Sequence, residues 1–94
     1  MVNAMLIDQK DDVIISIEEI KAGENVSYIS NEQIFSITAK NDITIYHKIA
    51  RNDITKGSPV SKYGEHIGIA ACDIFQGEHL HTHNIEEHRE DLRK

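Results

Sequence analysis

Asp73-Ile-Phe-Gln-Gly-Glu-His-Leu80 decides how the rest of the chain is read, because the sequence repeats it. Glu19-Ile-Lys-Ala-Gly-Glu-Asn-Val26 and Asp53-Ile-Thr-Lys-Gly-Ser-Pro-Val60 follow the same order: an acid, Ile, two variable residues, Gly, two variable residues, then Val or Leu. Asp42-Ile-Thr-Ile-Tyr-His-Lys-Ile49 is a weaker copy, with Tyr46 where the others have glycine. Glycine at that place predicts a turn of positive φ, and the flanking apolar residues anchor both arms in a core. The copies begin at residues 19, 42, 53 and 73, so there is no fixed period and no solenoid. One turning device is reused around one compact core.

Between the turns the segments read as strands. Asp12-Val-Ile-Ile-Ser-Ile17 is β-branched and mostly apolar, as a well-covered strand should be. Ile34-Phe-Ser-Ile-Thr38 follows a polar Ser30-Asn-Glu32 bend, which predicts a hairpin. Ile43-Thr-Ile45 and Ile67-Gly-Ile-Ala-Ala-Cys72 are expected as further short strands, and Asn31, Asn41 and Asn52 as turn residues. No segment from Met1 to Asn84 has helical periodicity. The expectation is a mainly β domain over residues 1–84, built of short strands joined by glycine turns. Residues 85–94 are highly charged and are expected as a tail or a short helix capped by Asn84, firming up against a partner.

Composition narrows the function classes. The 94 residues suffice for one domain, but only 39% are hydrophobic and none is Trp, so the lean core predicts association. A formal charge of −6 argues against nucleic-acid binding, and no apolar run is long enough to span a membrane. The one cysteine, Cys72, cannot form an internal disulfide, and a cytoplasmic setting is the default. Its place in the apolar Ile69-Ala-Ala-Cys72 run predicts a buried thiol and excludes it as a nucleophile.

The repeat runs on into His79-Leu-His-Thr-His-Asn84, which carries histidines at alternate positions. Residues two apart on a strand share a face, so His81 and His83 can aim at one metal, anion or polar substrate. Alternate polar residues also describe the solvated face of an edge strand. Leu80 should point inward as the apolar anchor of the turn, which turns the histidines outward; His79 is read as surface.

From Ile43 to Asn84 these motifs resemble the small N-terminal SAF-type domain, of β-clip fold, in the altronate and galactarate dehydratase family. The resemblance rests on His47-Lys-Ile-Ala50, Asp53-Ile54, Gly57, Lys62-Tyr-Gly64, Ile67-Gly68, Ala70, Asp73-Ile74, Gly77-Glu78 and His81-Thr-His-Asn84. Asp11-Asp-Val13 and Lys21-Ala-Gly-Glu24 give looser support. The chain departs from the pattern at Tyr46, where the family has glycine.

The resemblance implies a lyase that removes water from a sugar acid, with Fe(II) or Mn(II) in the assembled enzyme. In such dehydratases the small domain precedes a much larger catalytic region, whereas this chain stops ten residues after Asn84. That arrangement resembles two-subunit relatives such as sulfolactate sulfo-lyase and implies a separate large catalytic subunit as partner. The implied catalytic residues are His47, His81 and His83, with His81 and His83 also the metal candidates. Lys48, Lys62, Tyr63 and Asn84 are the implied substrate contacts. A lysine at a turn can clamp a carboxylate and a histidine can shuttle a proton. The competing reading is a carbohydrate-binding or homo-oligomerising module with no chemistry of its own.

Overall fold

A computed structural model describes residues 2–62, 64–80 and 85–86. Its strands, among the described residues, are β1 (Ala4–Met5), β2 (Val13–Ser16), β3 (Asn25–Ser30), β4 (Gln33–Thr38), β5 (Lys48–Ala50), β6 (Pro59–Lys62), β7 (Glu65–Ala70), β8 (His79–Leu80) and β9 (Ile85–Glu86). They form a β1-β2-β5-β8 sheet, a β3-β4 hairpin and a β6-β7-β9 sheet, with every pairing antiparallel. No helix among these residues is long and apolar enough to cross a membrane. The mainly β architecture expected from the sequence is what forms. In the β3-β4 hairpin, Asn31 and Glu32 take φ of 53° and 67°, the consecutive left-handed pair that matches strand twist in a two-residue connection.

All four repeat copies are turns of one construction. In each, the residue after the glycine position donates back across three residues to the one that follows the isoleucine: Glu24 N–H to Lys21 O, His47 N–H to Thr44 O, Ser58 N–H to Thr55 O and Glu78 N–H to Phe75 O, at 2.9–3.0 Å. The third residue needs positive φ, as in a type II turn. Gly23, Gly57 and Gly77 sit at 92°, 88° and 94°, and Tyr46 takes the same role at 69°. Ile43-Thr-Ile45, expected as a strand, therefore belongs to a turn, and only Ile43 makes a bridge, to Ile20.

The turns work in reciprocal pairs. Gly23 N–H donates to Ala39 O, just ahead of the second turn, and Tyr46 N–H donates to Ser16 O, just ahead of the first. Gly57 and Ala70, and Gly77 and Ala50, repeat the exchange between the third and fourth turns. The bridges Ile20–Ile43 and Ile54–Ile74 tie each pair together. The acids that open the copies complete the exchange: Asp42, Asp53 and Asp73 carboxylates accept the N–H groups of Ala22, Gln76 and Lys56 in the partner turn.

Each pair closes over its own core. One cluster holds Ile14, Ile20, Val26, Ile37, Ile43 and Ile49; the other holds Val13, Ile54, Val60, Ile74 and Leu80. Adjacent β2 residues Val13 and Ile14 feed opposite clusters because successive side chains alternate across the strand. Adjacent β5 residues Ile49 and Ala50 do the same, so β2 and β5 form the seam between the halves.

Two further expectations change. Ile85 and Glu86, assigned from sequence to a charged tail or helix, add to the sheet as β9, with Ile85 opposite Ala70 and packed on the second core. Apolar burial on an existing strand edge outweighs the marginal stability of a short isolated helix. Cys72 is exposed rather than buried. The β7 ladder ends at Ala70, and the chain bends at residues 71 and 72 into the fourth turn, which takes Cys72 off the buried face.

Candidate functional site

The seam brings together residues that are far apart in the chain. The second turn delivers His47 and Lys48 to the start of β5, and a buried hydroxyl fixes that delivery. Ser16 Oγ donates to Thr44 O at 2.8 Å and accepts from His47 N–H at 3.2 Å, while Ser16 N–H donates to His47 O. Ser16 is fully buried, so these bonds are shielded from competing water. Ile49 then points into the core, which leaves Lys48 on the opposite face of the strand.

Lys48 lies between Ile15 of β2 and Leu80 of β8. Its half-buried ammonium titrates below the ordinary lysine value, first because burial strips water from the charge and second because the Lys62 cation repels it. Lys62 ends β6, whose Ser61 is tied by paired bonds, at 3.0 Å each, to Asp12, the residue just ahead of β2. Beyond Lys62, the buried Asp11 carboxylate accepts the Gly64 N–H at 2.8 Å, with Gly64 at φ 77°. Arg51 holds the loop that carries Asp11 by donating to Gln9 O and Asp11 O.

His79 meets His47 across the β5-β8 ladder. The His47 Nδ1 and His79 Nε2 atoms are 2.9 Å apart, and the rings lie 5.0 Å centroid to centroid at 22°. The Asn41 side chain accepts the His79 N–H at 2.9 Å and so sets where β8 begins. The predicted residues His47, Lys48 and Lys62 thus come to one region, and His79, read as surface, is half-buried against His47. Tyr63, His81, His83 and Asn84 lie outside the described residues. Sequence reading missed His79, Asn41, Ser16 and Asp11. One signal was present for His79: in the repeat it occupies the same place as Lys48.

Comparison with known proteins gives the family. The sequence profile described as the altronate/galactarate dehydratase SAF domain matches residues 2–88. The chain belongs to that family. It is 38% identical to altronate dehydratase of Escherichia coli K12 over 87% of its length, and 36% identical to altronate dehydratase of Bacillus subtilis 168 over 92%. It spans only 16% of each of those proteins. It is also 43% identical over 64% of its length to (2R)-sulfolactate sulfo-lyase subunit alpha of Paracoccus pantotrophus, of which it covers 90%. A (2R)-sulfolactate sulfo-lyase subunit alpha from Chromohalobacter salexigens is 30% identical and covered over 94%.

Within the SAF domain, among the described residues, no three His, Cys, Asp or Glu side chains converge as a metal site. The facing nitrogens of His47 and His79 are engaged with each other. The described donor set does not by itself fit the iron or manganese that the family resemblance implies, and no step is routed through a metal. What the arrangement can do is attract an anion with Lys48 and Lys62 and move a proton through imidazole.

Proposed function

We propose that this SAF domain is the small subunit of a lyase acting on a hydroxy acid, and that it builds one wall of the active site. The favoured substrate is a sugar acid such as altronate or galactarate, which loses water. The observation that carries the reading is the half-buried Lys48 ammonium beside a second cation, Lys62, at the start of the strand that His47 leads into. Burial makes that ammonium costly in the free chain, and a carboxylate arriving beside it offsets the lost solvation. Removing the proton next to a substrate carboxylate is the difficult step of such an elimination. It needs the negative charge held and a nearby group to carry the proton. Lys48 and Lys62 suit the first task and His47 the second.

The separate-subunit arrangement is supported by the relatives named subunit alpha, which this chain covers over 90% and 94% of their length. They also favour a second reading, a sulfolactate sulfo-lyase small subunit, in which the two lysines receive a carboxylate and a sulfonate. In either case the partner is a large catalytic dehydratase-like chain, and the iron or manganese, if carried, belongs to the assembled enzyme. His81, His83, Tyr63 and Asn84 remain proposed contacts from the family pattern. An exposed unpaired Cys72 suits a reducing, cytoplasmic setting.

The test is reconstitution with a dehydratase-like large chain and assay on altronate, galactarate and sulfolactate. The small chain alone should turn over none of them. Lys48→Met should raise KM, and His47→Ala should lower kcat on the order of a hundredfold while the domain stays folded. Unchanged turnover in both variants would transfer the assignment to a carbohydrate-binding or oligomerisation module.

A further inference from the structure

We infer that His47 and His79 form a two-imidazole proton relay, in which a proton taken up at His47 Nε2 crosses the Nδ1···Nε2 contact and leaves at His79 Nδ1. The inference rests on the reading of His47 as the proton-carrying group and adds a residue that the family pattern does not supply.

The argument starts from the 2.9 Å separation between His47 Nδ1 and His79 Nε2. A contact of that length between ring nitrogens is a hydrogen bond only if one nitrogen bears a proton and the other a lone pair. A neutral imidazole has one of each. If His47 Nδ1 donates, its Nε2 holds a lone pair; His79 Nε2 then accepts, so the His79 proton is on Nδ1. If the bond runs the other way, both rings carry their proton on Nε2. The two neutral rings are therefore locked to the same tautomer, and changing one changes the other.

The proton count follows. With both rings protonated on Nδ1, His47 Nε2 accepts a proton from the substrate carbon. The His47 Nδ1–H bond breaks as that proton passes to His79 Nε2. The His79 Nδ1–H bond then breaks toward the acceptor that meets that nitrogen, water or a neighbouring polar group. One proton enters and one leaves, the pair ends with both rings protonated on Nε2, and its net charge is unchanged. Run in reverse, the same path delivers a proton to a leaving hydroxyl.

The backbone holds both ends of the relay. His47 is fixed by the buried Ser16 hydroxyl, and His79 by the Asn41 carboxamide and by its place opposite Ile49 in the ladder. Fully buried Leu80, the next residue, prevents β8 from slipping by one position, which would turn His79 to the other face.

The experiment uses the full 15N-labelled chain, then the same chain reconstituted with the large subunit. Long-range 1H–15N spectra report the tautomer of each ring, and 15N–15N coupling across the contact reports the hydrogen bond. The expected result is one matching tautomer in both rings with a measurable coupling, both lost in His79→Phe. In the reconstituted enzyme, His79→Phe should lower kcat about tenfold or more with KM nearly unchanged. His79→Gln supplies a side chain that can orient His47 but cannot pass a proton on, so it should stay slow. Full rescue by His79→Gln would reduce His79 to a positioning residue and overturn the relay, as would mismatched tautomers in the two rings. Wild-type turnover in His47→Ala would instead remove the catalytic reading beneath it.

Discussion

The second and fourth turns share one backbone and make opposite demands on their third residue. At Gly77 the left-handed φ of 94° is only part of the constraint. A Cβ built there would collide with the Thr38 carbonyl oxygen, and the Gly77 carbonyl accepts the Lys40 N–H at 2.9 Å. The chain passes so close to Thr38 that no side chain fits. At Tyr46 the same turn carries a full aromatic side chain at φ 69°, and that side chain is 71% exposed. Nothing in the packing demands it, and the left-handed conformation disfavours it. The fold therefore fixes residue 77 by space, whereas at residue 46 it fixes only the backbone angle.

The largest effect should come from adding one methyl group at the crowded turn. Gly77→Ala combines left-handed strain with a clash against backbone that cannot rotate away, and should cost about 3 kcal/mol or more. Urea unfolding would measure it, and a loss under 1 kcal/mol would mean that the turn is far looser than its geometry. Gly23→Ala and Gly57→Ala meet open space, so only the backbone strain remains and about 1 kcal/mol is expected. Tyr46→Gly should go the other way. Relief of the left-handed strain exceeds the added freedom of the unfolded chain, for a net gain of about 0.5 kcal/mol, or roughly 3 °C in Tm. A fall in Tm would show that Tyr46 supports the turn through contacts its exposure does not suggest.

The same contrast explains what could be read in the sequence. Three turns announce themselves by glycine, and the hairpin by Ser30-Asn-Glu32. The second turn was half hidden because Tyr46 masks the positive φ, which made Ile43-Thr-Ile45 look like a strand. Which turn pairs with which is set by Ser16, Ala39, Ala50 and Ala70, each buried and each three residues ahead of an acid. That small residue extends the repeat and was there to be found. Its role is to let two backbones approach, and such a role leaves only the trace of a missing side chain. Ile85 and Glu86 escaped because an edge pairing depends on a distant strand. For the candidate site, the family pattern pointed to His47, Lys48 and Lys62 but not to His79. Its partner lies on another strand, and alternation along one strand cannot reveal a contact across a ladder.

Lys48 gives the finest test, because its position belongs to the seam between the halves rather than to either turn. Its pKa is lowered by burial and then by Lys62, so the folded chain holds this proton less tightly than the unfolded chain does. Stability consequently carries the full cost of the charge at any pH below the lowered value. As pH rises through that value the folded lysine releases its proton, and the cost fades until the unfolded lysine also deprotonates in the ordinary range. Lys48→Met removes the charge and keeps most of the apolar stem. The variant should be slightly more stable than the parent at neutral pH, by an amount that solvent screening of a half-exposed group keeps small. That advantage should shrink steadily toward alkaline pH, because groups that do not interact with Lys48 contribute alike to both proteins and cancel from the difference. Thermal unfolding of the pair from pH 7 to 10.5 reads it out. A difference that stays constant across the series would show that Lys48 carries no burial cost, and would remove the electrostatic reason for expecting an anion beside it.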